Sequence, residues 1–202
     1  MSDIETLLRA ARERAGEAAA AAAERFADRA AASGDADVVY AMTDSPLGTL
    51  LLAATPRGLV TVGYPEHTPD DVLERLAAAI SPRIVAARGS LDSVRRELEE
   101  YFSGRRRSFE LAQDWRLMGP FMRRVLAATY AIPYGATSTY GEVAVEAGSP
   151  RGSRAAGNAL GANPLPIVVP CHRVLRRGGV LGGYAGGPER KRYLLALEGA
   201  MS

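Results

Sequence analysis

Cys171 and His172 stand side by side in the segment Asn163-Pro164-Leu165-Pro166-Ile167-Val168-Val169-Pro170-Cys171-His172-Arg173-Val174. An apolar run stiffened by three prolines delivers a thiol and an imidazole in succession. The thiolate, not the thiol, is the nucleophile, and a neighbouring base raises its fraction. His172 is the candidate base. Adjacent residues on a strand point to opposite faces, so contact between the two requires a turn or a bridging water. A buried structural cysteine beside an incidental histidine is the plain alternative. Glu198 is the third candidate. It closes a helix expected over Glu189–Glu198, where the helix dipole disfavours an acid. A partner such as His172 would account for it, and a solvated terminal glutamate is the other reading.

A glycine-rich segment, Arg176 to Gly187, lies between the Cys-His pair and that helix. Its six glycines surround Tyr184 and let a planar ligand approach closely. Leu181 and Tyr184 argue for packing over a free loop. The glycine spacing fits neither a Walker phosphate loop nor a dinucleotide fingerprint. The closing helix carries Tyr193, Leu194 and Leu197 on one stripe.

Several elements must position these groups. Pro120–Ala131 has helical spacing and stops at Ile132-Pro133-Tyr134-Gly135, because proline cannot continue a helix. Thr139-Tyr140-Gly141-Glu142 has the form of a capping box, opening a helix that runs to Ala147 and stops at Gly148. Ser149-Pro150 suggests a cap and first position for a third helix over Arg151–Leu160. Two short helices with a tight glycine-containing turn fit a helix-turn-helix, although short helix pairs also occur without nucleic acid. Upstream, Val38–Met42, Thr49–Ala54 and Leu59–Tyr64 are expected as a three-stranded meander. Asp70–Ile80 and Ser93–Phe102 are expected as helices. Residues 3–33 are alanine-rich, and alanine is the best helix former. Ile4, Leu7 and Leu8 could begin an apolar stripe there, and Glu13/Glu17 and Arg25/Arg29 recur at helical spacing. A solvated extension is the plain reading, and a partner-binding helix the other.

Composition bounds the rest. The 202 residues are 47% hydrophobic and 24% charged, which is globular and neither disordered nor fibrous. A single cysteine excludes an internal disulfide and any multi-cysteine metal site. The two histidines, His67 and His172, leave little for a histidine metal site, so no metal is expected. No membrane span or secretory signal is expected, so the protein is read as soluble and cytoplasmic. Residues 1–100 hold 11 basic and 17 acidic side chains, and residues 101–202 hold 14 and 6. An acidic half followed by a basic half points the second half toward a polyanion.

With these motifs in hand the chain closely resembles the O6-alkylguanine-DNA alkyltransferases, from about Val38 to Gly199. The anchors are Pro170-Cys171-His172-Arg173-Val174, Arg154-Ala155 through Asn163-Pro164, Gly183-Tyr184-Ala185-Gly186-Gly187 and Leu194-Leu195-Ala196-Leu197-Glu198-Gly199. Tyr134-Gly135, Tyr140-Gly141-Glu142-Val143-Ala144 and Ser45-Pro46-Leu47-Gly48 add to them. The resemblance implies an α/β (α+β) fold: a small N-terminal α/β domain with antiparallel strands, then a mainly helical, winged helix-turn-helix-like C-terminal domain. The expected boundaries are an extension over 1–34, the first domain over 35–104, a linker over 105–118 and the catalytic domain over 119–202.

The resemblance also implies a chemistry. Cys171 would take the alkyl group from O6-alkylguanine, with O4-alkylthymine a further substrate, in one irreversible turnover without a cofactor. His172 would accept the thiol proton through a water, Glu198 would orient His172, and Asn163 would hold the turn. Tyr140 would donate a proton to a ring nitrogen of the base. The base would be flipped through the minor groove. Thr139, Tyr140, Ser153, Arg154, Ala155 and Gly157 would contact DNA, with Arg154 filling the gap in the stack. Pro166, Val174, Leu181, Tyr184, Ala185 and Gly186 would line the base pocket. The partner is duplex DNA, the protein is expected to be a monomer, and the extension is open to a partner contact.

The chain departs from the resemblance at Gly161 and Ala162, where basic residues are frequent, and at Met122, Leu126 and Ala185. A lesion-recognition module that binds without repair is the alternative function, and Cys171 argues against it. A Cys-His hydrolase is a third, which would need an oxyanion hole and turnover.

Overall fold

Leucine, valine and alanine runs bounded by turn residues build the first half. The computed structural model describes residues 3–66 and 68–201, so His67 lies outside the described residues. Strands β1 (Val38–Thr43), β2 (Leu50–Thr55) and β3 (Gly58–Gly63) form the expected antiparallel meander. Ser45 holds the first turn, accepting from the Leu47 amide and donating to Gly48 O. Helix α2 (Pro69–Ala79) follows, capped by Thr68, and then β4 (Ile84–Ala86) pairs parallel to β1. The sheet order is β3-β2-β1-β4. The fourth strand was not foreseen, because three residues are too few to show a period. Helix α3 spans Asp92–Phe102.

Both faces of β2 are buried. Leu50 and Leu52 enter a core shared with the second half, whereas Leu51 and Ala53 join Val72 and Leu76 of α2. A strand covered on both faces is continuously apolar, as the run Leu50-Leu51-Leu52-Ala53-Ala54 is. The shared core runs on through Tyr101 of α3 to Val125, Ile167 and Leu194. The segment 105–118 is fastened along its course. Leu59 donates to Ala112 O and accepts from the Asp114 amide, and Thr55 donates to the buried Asp114 carboxylate at 2.6 Å. Gly58, at φ +132°, is required where this segment crosses, because a Cβ there would collide with the Ala112 backbone.

The second half is helical: α4 (Pro120–Tyr130), α5 (Tyr140–Glu146), α6 (Ser153–Gly161) and α7 (Gly187–Leu197). The capping box of α5 is formed as expected, with Thr139 and Glu142 exchanging bonds. The expected cap of α6 is corrected. Ser149 donates its amide to Ala144 O and so ends α5, while its carbonyl accepts from Gly152. That turn delays α6 until Ser153, with Gly152 as its cap residue. The stripe of α7 is also corrected. Leu194 and Leu195 are fully buried, whereas Tyr193 is exposed. Two short strands not foreseen, β5 (Ser138–Thr139) and β6 (Val174–Leu175), pair in parallel and tie α5 to the Cys-His segment.

Helix α1 (Asp3–Ser33) is mostly exposed, including Phe26 at 65%. The side chains of Ile4, Leu7, Leu8 and Glu17 lie outside those described. Its last turns rest on the first half, with Ala27 buried and Asp28 accepting from Ser90.

Candidate active site

Asn163 follows α6 and organises the turn that presents Cys171. Its Oδ1 accepts from the Leu165 amide at 3.0 Å, and its Nδ2 donates to Val169 O at 3.0 Å and to Cys171 Sγ at 3.2 Å. Within this turn Ile167 adopts φ +75°. A β-branched residue there is strained, and the surrounding bonds hold it. Cys171, His172 and Arg173 form one 3-10 turn instead of continuing a strand. Their side chains therefore do not alternate across a sheet, which removes the premise of the opposite-faces objection.

Cys171 is 3% exposed, and burial pushes its thiol up to about 11, against the Asn163 hydrogen bond and the Lys191 charge. The resting group is a thiol. His172 is fully buried, and burial pulls its pKa below 6.5, so the ring rests neutral. Its Nε2 meets Glu198 Oε1 at 2.9 Å, and its Nδ1 has no hydrogen-bond partner among the described residues.

Glu198 is the hub. Oε1 also accepts from Tyr101 Oη at 2.6 Å and from Arg173 Nη2 at 2.8 Å, and Oε2 accepts from Arg173 Nε at 2.8 Å. Burial raises its pKa, but the hydrogen bonds from His172 and Arg173 outweigh that and hold it at about 2. The charge that a helix C-terminus disfavours is thus answered by a bidentate guanidinium.

Tyr140 is half-buried at the start of α5, and its hydroxyl donates to Gly183 O at 3.2 Å. Gly157 lies against its ring. An open cleft of about 510 Å3 gathers Tyr140, Ser153, Arg154, Gly157, Tyr184 and Ala185. Arg154 is exposed there, and among the described residues no ion pair holds it. The remaining expected residues are not gathered in this cleft. Thr139 is spent on the helix cap, Ala155 faces solvent, Val174 is fully buried and Leu181 is half-exposed. Gly186 is buried against the Tyr64 ring, and Pro166 borders a second groove behind Ala185.

Sequence reasoning passed over Tyr101, Arg173, Lys191 and Tyr64. Lys191 is fully buried and donates to Val174 O at 2.6 Å, with its ammonium 5.9 Å from the Tyr140 ring centroid. Burial lowers its pKa to about 8. One signal was available: it is the only lysine among 25 basic residues. Among the described residues, His, Cys, Asp and Glu form no group of metal ligands and no helix is long and apolar enough to cross a membrane.

Two family models and several known proteins match the chain. Residues 120–200 match the 6-O-methylguanine DNA methyltransferase DNA-binding domain, and residues 38–114 match that family's ribonuclease-like domain. A methylated-DNA–protein-cysteine methyltransferase of Mycolicibacterium paratuberculosis is 41% identical over 161 residues, covering 80% of this chain and 92% of the relative. One from Methanosarcina acetivorans is 39% identical over 168 residues, covering 80% and 98%. The crystal structure of Mycobacterium tuberculosis O6-methylguanine methyltransferase superposes with a TM-score of 0.70 at 38% identity, covering 82% of this chain and 94% of that one. A structure of M. tuberculosis OGT in complex with DNA gives 0.66 at 37%, covering 80% and 93%. With both domain models matched in order and relatives near 40% identity along almost their whole length, the chain belongs to the methylated-DNA–protein-cysteine methyltransferase family.

Proposed function

We propose that this protein repairs O6-alkylguanine in duplex DNA by moving the alkyl group irreversibly onto Cys171, with O4-alkylthymine left open as a further substrate. The observation that carries this reading is the pairing of Asn163 on the thiol with Glu198 on the imidazole. Glu198 fixes Nε2 of His172 and leaves Nδ1 as the nitrogen with capacity for a proton. The thiol proton passes to it through a water. Sγ attacks the alkyl carbon, the S–C bond forms, and the C–O6 bond breaks with its electron pair staying on guanine. Tyr140 supplies the proton that the base gains, and the proton held on His172 returns to Tyr140 through water, so that the thiol proton ends on the base. A protonated leaving base lowers the barrier, as general acids do.

The base reaches the site by flipping through the minor groove. Exposure of Arg154 at the first turn of α6 supports its role of filling the gap in the stack, and small residues there permit close approach. Tyr184 and Ala185 form one wall of the base pocket, with Pro166, Val174, Leu181 and Gly186 around it. Ser153, Ala155 and Thr139 flank the backbone. The positive second half supplies affinity for phosphates without sequence readout. The units are the extension 1–34, the α/β domain 35–104, the connection 105–118 and the catalytic domain 119–202. The protein acts as a cytoplasmic monomer without cofactor, and the extension is a solvated helix open to a partner contact.

Intact-protein mass spectrometry with a duplex carrying one O6-methylguanine tests the reading. The expected result is one added methyl per protein, mapped to Cys171. Tight lesion binding with no mass gain would instead make this a recognition module, and repeated product release would make it a hydrolase.

A further inference from the structure

The wall of the base pocket is braced from the other half of the molecule. Tyr184 lines the cleft that holds Tyr140 and Arg154, and Tyr64, just after β3, lines a second groove that shares Gly161 and Ala185 with that cleft. The two hydroxyls share a hydrogen bond of 2.5 Å, and the rings meet edge to face at 6.0 Å. Tyr64 is itself pinned. The Arg190 guanidinium lies 4.9 Å from its ring centroid and donates to Leu47 O and Gly186 O, and the Tyr64 ring leaves no space for a Cβ at Gly186. Tyr184, by contrast, belongs to a segment with six glycines and has little backbone stiffness of its own. The second groove, of about 280 Å3, meets the cleft at Ala185, the residue that follows Tyr184.

We infer that Tyr64 is a specificity-determining residue: by holding Tyr184 upright it limits the size of the alkyl group the pocket accepts. The inference rests on the repair reading above. Tyr64 touches no reacting atom and acts through Tyr184, as a positioning residue. The methyl group is too small to meet the brace, so only bulky groups report on it.

The test compares transfer rates from O6-methylguanine and O6-benzylguanine in the same duplex. Tyr64→Phe keeps the ring beneath Arg190 and removes only the shared hydrogen bond, so the fold is retained. The benzyl-to-methyl rate ratio is expected to rise about five- to tenfold, the scale of one lost hydrogen bond, with the methyl rate unchanged within about twofold. In a Tyr184→Phe background, where the bond is already gone, Tyr64→Phe is expected to add nothing to the ratio. An unchanged ratio, an equal fall in both rates, or additive effects in the double variant would each overturn the inference. Failure of the unsubstituted protein to take up either group would instead overturn the repair reading, and is read before any variant is compared.

Discussion

The catalytic centre and helix α6 treat charge in opposite ways. At the centre Glu198 and Arg173 are buried and joined by two hydrogen bonds, with Tyr101 and His172 on the same carboxylate. On α6, Arg154 stands exposed, and no ion pair among the described residues restrains it. The first arrangement fixes geometry before any ligand arrives, which is what proton transfer needs. The second leaves a long side chain its rotamer freedom, which on the proposed reading it gives up against the DNA. Chemistry is preorganised here and recognition is not.

The largest test of that contrast is to remove the nucleophile. Cys171→Ser should abolish alkyl uptake by mass spectrometry, while lesion binding by fluorescence anisotropy stays within about threefold, since serine keeps the size of a side chain that is only 3% exposed. Glu198→Ala should break the centre itself. It leaves Arg173 buried without its counter-charge, which costs about 3–5 kcal/mol, read in urea unfolding. Glu198→Gln should retain more stability yet slow transfer about 100-fold, by weakening the hold on His172.

Acid should unmake the centre in two stages. His172 is held neutral with its pKa below 6.5, so the unfolded chain takes up that proton first, and stability falls as pH drops below about 6.5. Glu198 ionises at about 2 in the fold against 4.5 normally, so its contribution is complete above about 4.5 and is lost from there toward 2. Above pH 8 the signs oppose. Folded stability from the Cys171 thiol is lost as pH rises from 9 to about 11, while Lys191, at about 8 instead of 10.5, gains across 8 to 10.5. Thermal melts across pH 2 to 11 should show a steep acid limb and a shallow alkaline one.

Two smaller effects sharpen the other side. Arg154→Ala should slow repair in duplex DNA about tenfold and leave reaction with the free modified base unchanged, because no base pair needs replacing there. Equal losses on both substrates would remove its filling role. Deleting residues 2–24, which spares the turns carrying Ala27 and Asp28, should leave transfer within about twofold and shift the melting temperature by less than about 2 °C.

The same contrast governs what the sequence discloses. Helix α5 was legible because its cap is local: Thr139 and Glu142 are three residues apart. The meander was legible from its turns. The start of α6 was misjudged because Ser149 had already been claimed by the preceding helix, a competition that composition does not display. Strand β4 was missed because three residues show no period and its partner, β1, is distant in sequence. At the site, Cys171, His172 and Asn163 announced themselves within one segment. Tyr101, Arg173 and Lys191 did not, because burial of a charge or phenol is a property of the assembled core. Arginine abundance hid Arg173, one of 24 arginines, and the solitary Lys191 carried a cue that went unused.

The partners of Glu198 have one more consequence. Tyr101 lies 97 positions away along the chain, Gly135 63, His172 26 and Arg173 25. Such long loops must close before any of these bonds forms, and loop closure sets the pace of folding. During refolding, helices α4 to α6 should recover their circular dichroism ahead of alkyl uptake. The capacity to react then reports on the last event of assembly, the docking of α3 against the chain's final helix, and a half-folded molecule is spared from spending its single turnover.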